Sequence, residues 1–288
     1  MSQPTSPQVI TEELRAWIVA QAKSGCAPDA VLTAMQASGW SEDTAMLAME
    51  TALRDRLVQL GKPVPGEAPG PSLPEPAVQD SPAQVRAADR DVAIVMLMKH
   101  PRVVVFGGLL SHEECDALMA EAAPRLARSE TVENVSGGSE VNASRTSDGM
   151  FFERGQSPLI TRIEQRVAAL LNWPLENGEG LQILRYRPGA EYKPHHDYFD
   201  PVHSGSATIL KRGGQRVGTL VMYLNTPTRG GGTTFPDVGL EVAPVKGNAV
   251  FFSYDKPHVS TRTLHGGAPV LEGEKWVATK WLREGIFV

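Results

Sequence analysis

The stretch Tyr192–Asp200, which reads YKPHHDYFD, places His195 and Asp197 two residues apart. The preceding run Leu181–Tyr186 is typical of a strand. Residues two apart in a strand point to the same face, so the imidazole and the carboxylate would converge on one point. One further histidine would complete a 2-His-1-carboxylate site, which holds iron from one side and leaves positions open on the other. Because a His-x-Asp pair also arises by chance, the rest of the sequence must decide.

The composition is that of a soluble globular protein, with 41% apolar and 21% charged residues in a chain of 288. A net charge of -5 argues against a nucleic-acid-binding surface. The N-terminus lacks a signal-peptide pattern and no apolar run could span a bilayer, so we expect no membrane association. Cys26 and Cys115 are too few for a disulfide framework, which favours a reducing compartment. We therefore expect a cytoplasmic protein, and the Ala/Pro/Arg-rich usage favours a bacterial one.

Two segments are predicted before the main domain, a helical module over residues 1–60 and a proline-rich linker over residues 61–83. The module contains three Ala/Leu/Met-rich helical patterns at Glu12–Ala22, Pro28–Ala37 and Glu42–Leu57. It loosely resembles ubiquitin-associated-like bundles and could recruit a protein partner; a plain helical appendage, packing on the main domain or on a second copy, is the alternative. The linker carries a proline every few positions and little apolar bulk. The main domain then covers residues 84–288.

The main domain is predicted to be α+β or mainly β. A strand at Arg102–Phe106 is followed by a helix that Ser111 caps and that runs to about Ala127, and a second helix covers Ile160–Leu171. Residues 130–149 form a long polar loop, either a lid or a plain excursion. Short strands at this spacing predict a β-sandwich or jelly roll buttressed by helices. These strands are Leu181–Arg187, Val217–Asn225, Leu240–Ala243, Ala249–Tyr254 and Lys275–Arg283.

The third metal ligand must come from His258 or His265, because the other histidines precede the strands, lie in a polar loop or point away. An Fe(II) oxygenase of this type commonly uses 2-oxoglutarate, whose distal carboxylate needs a buried cation. Lys275 follows His265 by ten residues across a glycine-containing turn. A hairpin would place the two on paired strands, one holding iron and the other holding the carboxylate. His258 has no equivalent partner, so we select His265.

Residues from about 100 to 288 resemble the collagen-type prolyl 4-hydroxylases of the Fe(II)/2-oxoglutarate dioxygenase superfamily. The resemblance is carried by LRYRPGAEYKPHHDYFDP, GGQRVGTLVMYLN, GGGTTFP and LHGGAPVLEGEKWVATKWL, and upstream by LLSHEECDALM and SRTSDGMFF. It implies a double-stranded β-helix with Fe(II), 2-oxoglutarate and O2, and with ascorbate as reductant. One departure concerns Arg283, where the family often has a histidine; this bears on the shape of the proline pocket.

The same resemblance implies roles for individual residues. His195, Asp197 and His265 would bind iron, and Lys275 would bind 2-oxoglutarate. Hydroxyls around the cosubstrate would come from Tyr186 and from Thr279 or Tyr223. The residues expected to line the peptide groove are Tyr192, Arg216 and Trp281, with ordinary core packing as the alternative for the aromatic side chains.

The sequence therefore predicts a dioxygenase that hydroxylates proline at C4 in a peptide or protein, releasing succinate and CO2. One alternative is the same chemistry on another residue or on a free amino acid. DNA-demethylating relatives fit less well, because of the acidic balance and because a lysine stands where they usually have an arginine. A second alternative is a sensor or binding protein built on the barrel, but the presence of all four site residues counts against an inactive scaffold.

Overall fold

The computed structural model describes residues 10–59, 73–129, 131–132, 139–140 and 146–288. The chain divides into two compact units, residues 1–70 and 71–288. The predicted boundary between module and linker, at residues 60–72, and most of the suggested lid at 130–149 lie outside the described residues. No helix among the described residues is long and apolar enough to cross a bilayer.

The first unit contains the three predicted helices. Thr11 accepts a hydrogen bond from Leu14 N and so caps the first of them. Apolar side chains that recur at helical spacing pack together between the helices, among them Ile18, Met35 and Ala48. The helices are α1 Glu12–Lys23, α2 Pro28–Ala37 and α3 Glu42–Gln59. Local spacing alone was sufficient to predict them.

The second unit contains three further helices and all of the described strands. The helices are α4 His112–Ala122, α5 Pro158–Leu171 and α6 Ser206–Ile209. The strands are β1 Gln84–Ala87, β2 Arg90–Met98, β3 Arg102–Gly107, β4 Ala127–Arg128, β5 Thr131–Val132, β6 Ser139–Glu140, β7 Asp148–Phe152, β8 Leu181–Tyr186, β9 Tyr192–His195, β10 Arg216–Tyr223, β11 Arg229–Gly230, β12 Thr233–Phe235, β13 Leu240–Val242, β14 Ala249–Ser253, β15 His265–Gly267, β16 Val270–Glu272 and β17 Lys275–Arg283.

Two antiparallel sheets form the double-stranded β-helix that the resemblance implied. Within the described ranges, the larger sheet has the strand order β1-β2-β3-β14-β10-β17-β8-β7-β4, and the smaller has the order β13-β12-β15-β9. Alternate residues of each strand face opposite sides. In β14, Val250 and Phe252 join the core between the sheets, whereas Ala249 and Phe251 join the core beneath α4 and α5. The site therefore lies between two sheets that a helical layer supports from one side.

The predicted end of the helix that follows Ser111 needs correction. The helix after Ser111 ends at Ala122 and continues only as a short 3-10 turn, Ala123–Arg125, rather than running to Ala127. Pro124 explains the difference, because proline has no backbone N–H to continue the helix. The cap at Ser111 was predicted correctly: Glu114 N donates to the Ser111 hydroxyl, and Ser111 N donates to the Glu114 carboxylate, which completes a capping box.

The predicted linker also differs from the structure over residues 73–83. Val78 is 4% exposed and belongs to the core of the second unit. Glu75 N donates to Leu171 O at 2.9 Å, and the Glu75 carboxylate pairs with Arg102. Prolines around these residues bring no backbone donors that would have to be satisfied on burial. The proline-rich composition therefore concealed a segment that packs.

A buried ion pair joins α5 to the larger sheet. Lys280 Nζ lies 2.5 Å from Glu164 Oε1, and the two side chains are 3% and 2% exposed. We expect Glu164→Ala to lower the free energy of unfolding by about 3–5 kcal/mol, because it leaves a buried, unpaired ammonium group. Urea unfolding would measure this. Glu121→Ala, at an exposed position of α4, is the control and should change stability by about 0.5 kcal/mol or less. Equal losses in the two variants would contradict the role given to the ion pair.

Candidate active site

Strand pairing brings the three predicted metal ligands together. His195 at the end of β9 lies directly opposite His265 at the start of β15, and their ring centroids are 4.4 Å apart. Asp197 follows two residues after β9. One potential ligand atom from each of the three residues lies within 4.8 Å of the others. Among the described residues, this is the one such cluster of His, Cys, Asp and Glu side chains.

Backbone carbonyl groups orient both imidazole rings. His195 Nδ1 lies 2.9 Å from Lys193 O, and His265 Nδ1 lies 2.9 Å from Thr263 O. Because a carbonyl oxygen can only accept, each Nδ1 carries the proton and donates it. Each Nε2 therefore presents a lone pair, and it does so 3.4 Å from a carboxylate oxygen of Asp197. The bond from each Nδ1 to a backbone carbonyl is the outer hydrogen bond that metal-binding histidines usually make.

The charge states in the cluster fit a divalent cation. Burial, followed by the neighbouring His265, lowers the pKa of His195, which favours the neutral imidazole. Burial raises the pKa of Asp197, but the neighbouring His265 and His195 outweigh it and hold that pKa well below its usual value. Metal binding requires neutral imidazole and ionised carboxylate groups. Two nitrogen donors and one carboxylate are the donor set of a non-haem iron site.

One cavity contains the histidines, the aspartate and Lys275. Alternate residues of β17 line it, namely Lys275, Val277, Thr279 and Trp281. The residues between them face the helical layer, as the pairing of Lys280 with Glu164 shows. The period of two in a strand thus separates residues that face the site from residues that support it.

Lys275 is a buried cation with no described carboxylate at ion-pair distance. Its side chain is 4% exposed, and Nζ lies 5.6 Å and 5.8 Å from the ring centroids of Tyr186 and Tyr223. Burial lowers the pKa of Lys275 to about 8, and the Glu241 carboxylate opposes that shift. Burying an ammonium group is costly unless an anion accompanies it. The position therefore fits an anionic ligand.

The predicted hairpin between His265 and Lys275 was wrong. Strand β15 pairs with β9 and β12 in the smaller sheet, whereas β17 pairs with β10 and β8 in the larger sheet. The segment between them forms β16, which pairs with β11. Ten residues that include glycines are enough for the chain to cross from one sheet to the other. His265 and Lys275 therefore lie on different sheets, and both line the same cavity.

The residues proposed for the cosubstrate divide into two positions. Tyr186 and Thr279 line the cavity. Tyr223 is not among the lining residues, and its hydroxyl donates to Thr233 Oγ1 at 2.8 Å. Of the two residues between which the resemblance did not decide, the geometry favours Thr279.

The residues predicted for the peptide groove also divide. Tyr192 and Trp281 line the cavity, and the Tyr192 ring stacks on His195 at 3.7 Å between centroids. Arg216 is not among the lining residues; it donates two hydrogen bonds to Glu179, at 2.7 and 2.9 Å. Its guanidinium lies 4.1 Å from the Trp281 ring centroid. The expectation that Arg216 donates to a substrate carbonyl stays a prediction, and it requires a rearrangement of this ion pair.

Three buried residues that the sequence reasoning missed support the site. Thr219 Oγ1 donates to Asp197 Oδ2 at 2.7 Å and lies 3.0 Å from the Tyr254 hydroxyl. Glu179 accepts from Arg216 and also from Arg283 Nε, at 2.6 Å. Thr219 could have been found from the sequence, because it is a hydroxyl residue among the apolar residues of the strand RVGTLVMY. Glu179 and Tyr254 gave none, because their partners are distant in sequence.

His258, the alternative third ligand, is not among the residues that line the cavity. It is exposed, and its Nδ1 accepts from Ser260 N at 3.1 Å, capping the 3-10 turn Val259–Thr261. His196, which lies between His195 and Asp197 in the sequence, packs against Tyr198 with 4.7 Å between ring centroids. Neither belongs to the cluster around Asp197.

Comparison with known proteins agrees with this geometry. The model of the 2OG-Fe(II) oxygenase superfamily matches residues 181–283. Prolyl 4-hydroxylase 1 of Arabidopsis thaliana is 44% identical over 201 residues, which cover 64% of this chain and 69% of the relative. The chain belongs to the prolyl 4-hydroxylase family of 2OG-Fe(II) oxygenases. Prolyl 4-hydroxylase 2 of the same plant is 39% identical to this family member over 211 residues, covering 65% and 69% of the two chains.

The solved structure of a prolyl hydroxylase is also similar to this family member. It is the 2OG complex of the viral collagen prolyl hydroxylase from Paramecium Bursaria Chlorella virus-1, with 30% identity and a TM-score of 0.49. The match covers 63% of this chain and 95% of the viral one. The resemblance and the enzyme class predicted from the sequence are confirmed by the family model and the plant relatives.

Proposed function

We propose that this chain is an Fe(II)- and 2-oxoglutarate-dependent dioxygenase that hydroxylates proline at C4 in a peptide or protein. The succinate and CO2 that form in the same reaction derive from 2-oxoglutarate. One observation carries the proposal: a His-Asp-His donor set and a buried ammonium without a described counter-ion line the same cavity. A metal bound on one side and a dicarboxylate held on the other would satisfy both.

The proposed ligands of Fe(II) are His195 Nε2, His265 Nε2 and an oxygen of Asp197. When bound, the metal would supply the activation of O2 that amino-acid side chains cannot provide. Lys275 would form a charge-assisted hydrogen bond with the distal carboxylate of 2-oxoglutarate. The hydroxyls of Tyr186 and Thr279 would complete the binding of that carboxylate.

The proposed substrate groove begins at Tyr192 and Trp281, aromatic side chains that line the cavity with the metal-binding cluster. Flat apolar rings suit the pyrrolidine ring of proline, which has no side-chain hydrogen-bonding group. Arg216 and its partner Glu179 would lie behind Trp281 and hold its ring in place. The plant relatives, which are named as prolyl 4-hydroxylases, support proline as the target.

Succinate release in the presence of Fe(II), 2-oxoglutarate and O2 tests the proposal. We expect a proline-rich peptide to stimulate succinate formation. The same peptide with alanine at every proline should leave succinate formation at the rate measured without peptide. Stimulation by free proline but not by the peptide would overturn the peptide or protein assignment. Stimulation by neither would overturn the prolyl assignment, and the absence of iron binding would overturn the dioxygenase itself.

The pKa of Lys275 predicts a pH dependence. Burial lowers that pKa to about 8, so the ammonium form predominates below pH 8 and is lost as the pH rises through it. We expect the KM for 2-oxoglutarate to rise about tenfold between pH 7 and pH 9, since one unit above its pKa about 90% of the lysine is neutral. Steady-state kinetics with buffers of constant ionic strength would measure this.

Two variants serve as controls for the pH profile. Lys275→Arg keeps its charge throughout this range, so its KM for 2-oxoglutarate should not change with pH. Glu241→Gln removes the carboxylate that opposes the shift, so the rise in KM should begin at a lower pH. A pH profile identical in all three proteins would assign the titration to another group.

We also propose a role for the module of residues 1–60, namely recruitment of a protein partner. The support is that its helices have a core of their own, formed by residues such as Ile18 and Val31. A chain lacking residues 1–60 should then hydroxylate short peptides as the full chain does. Loss of that activity would indicate a role in catalysis instead.

We further propose ascorbate as the reductant and a bacterial cytoplasm as the location. The two cysteines, Cys26 and Cys115, are both free thiols, which agrees with a reducing compartment. Ascorbate should extend the number of turnovers before inactivation, and an unchanged number would contradict its role.

A further inference from the structure

The two carboxylate oxygens of Asp197 have different surroundings. Oδ2 accepts hydrogen bonds from Thr219 Oγ1 at 2.7 Å and from Trp281 Nε1 at 2.9 Å, and it lies 3.4 Å from His265 Nε2. Oδ1 lies 3.4 Å from His195 Nε2, and no described hydroxyl or indole donates to it. Two donors therefore engage one oxygen and leave the other for a cation.

The direction of the hydrogen bonds follows from counting protons. An ionised carboxylate can only accept, so the Thr219 hydroxyl gives its single proton to Asp197. Thr219 Oγ1 also lies 3.0 Å from the Tyr254 hydroxyl, and it has no second proton to donate. Tyr254 must therefore be the donor. The chain of bonds runs from Tyr254 to Thr219 and from Thr219 to Asp197.

Tyr254 follows β14 directly and is buried. The residue is 2% exposed, and its ring contacts those of Phe252 and Tyr198, with centroids at 6.3 and 6.0 Å. Burial raises the pKa of Tyr254, so the phenol keeps its proton. A buried hydroxyl without a partner is costly, and Thr219 is the partner that the described residues provide for it. The phenol is thus held to one orientation.

We infer that Tyr254 is a positioning residue, which acts through Thr219 to hold Asp197 with Oδ2 engaged and Oδ1 directed to the metal. The inference rests on the proposed function, because it assumes that Asp197 binds a metal. Fixed outer hydrogen bonds reduce the freedom of a ligand before the metal arrives, which strengthens binding. A tyrosine that served only as packing would be replaced by phenylalanine without effect on metal affinity.

Metal binding by the full chain tests this inference without any turnover. The metal-free protein is titrated with Mn(II), and the electron paramagnetic resonance signal of free Mn(II) gives the affinity. Changes in the outer shell of metal sites typically cost about 10–100-fold in affinity, so we expect a loss in that range for Thr219→Val. Tyr254→Phe, one bond further away, should lose about 3–10-fold, and Thr219→Ser, which keeps the hydroxyl, less than about twofold.

Tyr198→Phe is the matched control, since it removes a phenol oxygen from the ring that packs against Tyr254. Its Mn(II) affinity should equal that of the unaltered chain. In the Thr219→Val background, Tyr254→Phe should cause no further loss, because the bond through which it acts is already absent. Urea unfolding of the metal-free proteins verifies that each variant folds, and if Thr219→Val does not, the comparison of Tyr254→Phe with Tyr198→Phe decides.

The outcomes separate the inference from the function on which it rests. No Mn(II) binding by the unaltered chain would overturn the proposed function and this inference with it. Normal binding by the unaltered chain and equal binding by Tyr254→Phe would overturn the inference alone. Additive losses in the double variant would also overturn it, because Tyr254 would then act independently of Thr219.

Discussion

His265→Ala is expected to abolish turnover, while His258→Ala keeps it. His265 Nε2 is one of the three donors around the proposed metal position, and it lies on the strand paired with that of His195. Losing a direct ligand should cost more than the roughly 100-fold that outer-shell changes reach. His258 is exposed and caps a short turn, so its replacement should change activity by about twofold or less.

Two measurements are needed for this pair of variants. Succinate formation with a proline-rich peptide gives the activity, and Mn(II) titration of the metal-free proteins gives the affinity. His265→Ala should lose both, and His258→Ala should lose neither. If His258→Ala were inactive and His265→Ala active, the third ligand would have been assigned to the wrong histidine.

Lys275→Ala is expected to raise the requirement for 2-oxoglutarate far more than it weakens metal binding. Lys275 is buried and has no described counter-ion, so without it the distal carboxylate would be buried without a charged partner. Truncating one partner of a buried, hydrogen-bonded charge pair costs about 2–5 kcal/mol, which corresponds to roughly 30-fold or more in affinity. The ligands His195 and His265 lie on the smaller sheet, whereas Lys275 lies on β17 of the larger sheet, so metal binding should be little affected.

Calorimetric titration of the Mn(II)-loaded protein with 2-oxoglutarate would measure the loss. Lys246→Ala is the control, because it removes the same charge from a surface lysine that pairs with Asp116, and it should bind 2-oxoglutarate normally. Equal losses of metal and 2-oxoglutarate affinity in Lys275→Ala would contradict the role given to the lysine.

The sequence was informative where short-range spacing determines geometry. His195 and Asp197 are two residues apart, and His265 was chosen over His258 because of its distance from Lys275. The structure brings all four residues to one cavity. The helices of the first unit followed from apolar periodicity, and α4 begins directly after Ser111, the predicted cap.

The sequence was less informative where partners are distant along the chain. His265 and Lys275 were expected on paired strands, but sheet membership depends on β9 and β10, which are remote in sequence. Nothing in the sequence indicated that Glu179, 37 residues away, pairs with Arg216, whose hydrogen bond to a substrate carbonyl stays a prediction. Strand β2 was missed because its partly exposed residues do not alternate cleanly.

The central claim is that oxidation of 2-oxoglutarate is coupled to hydroxylation of proline at C4. The most direct test measures, in one reaction, the succinate formed and the hydroxyproline in a proline-rich peptide, with nuclear magnetic resonance of the product to locate the hydroxyl group. We expect equal amounts of the two products and hydroxylation at C4. Succinate without peptide oxidation, or a hydroxyl group on another residue, would contradict it.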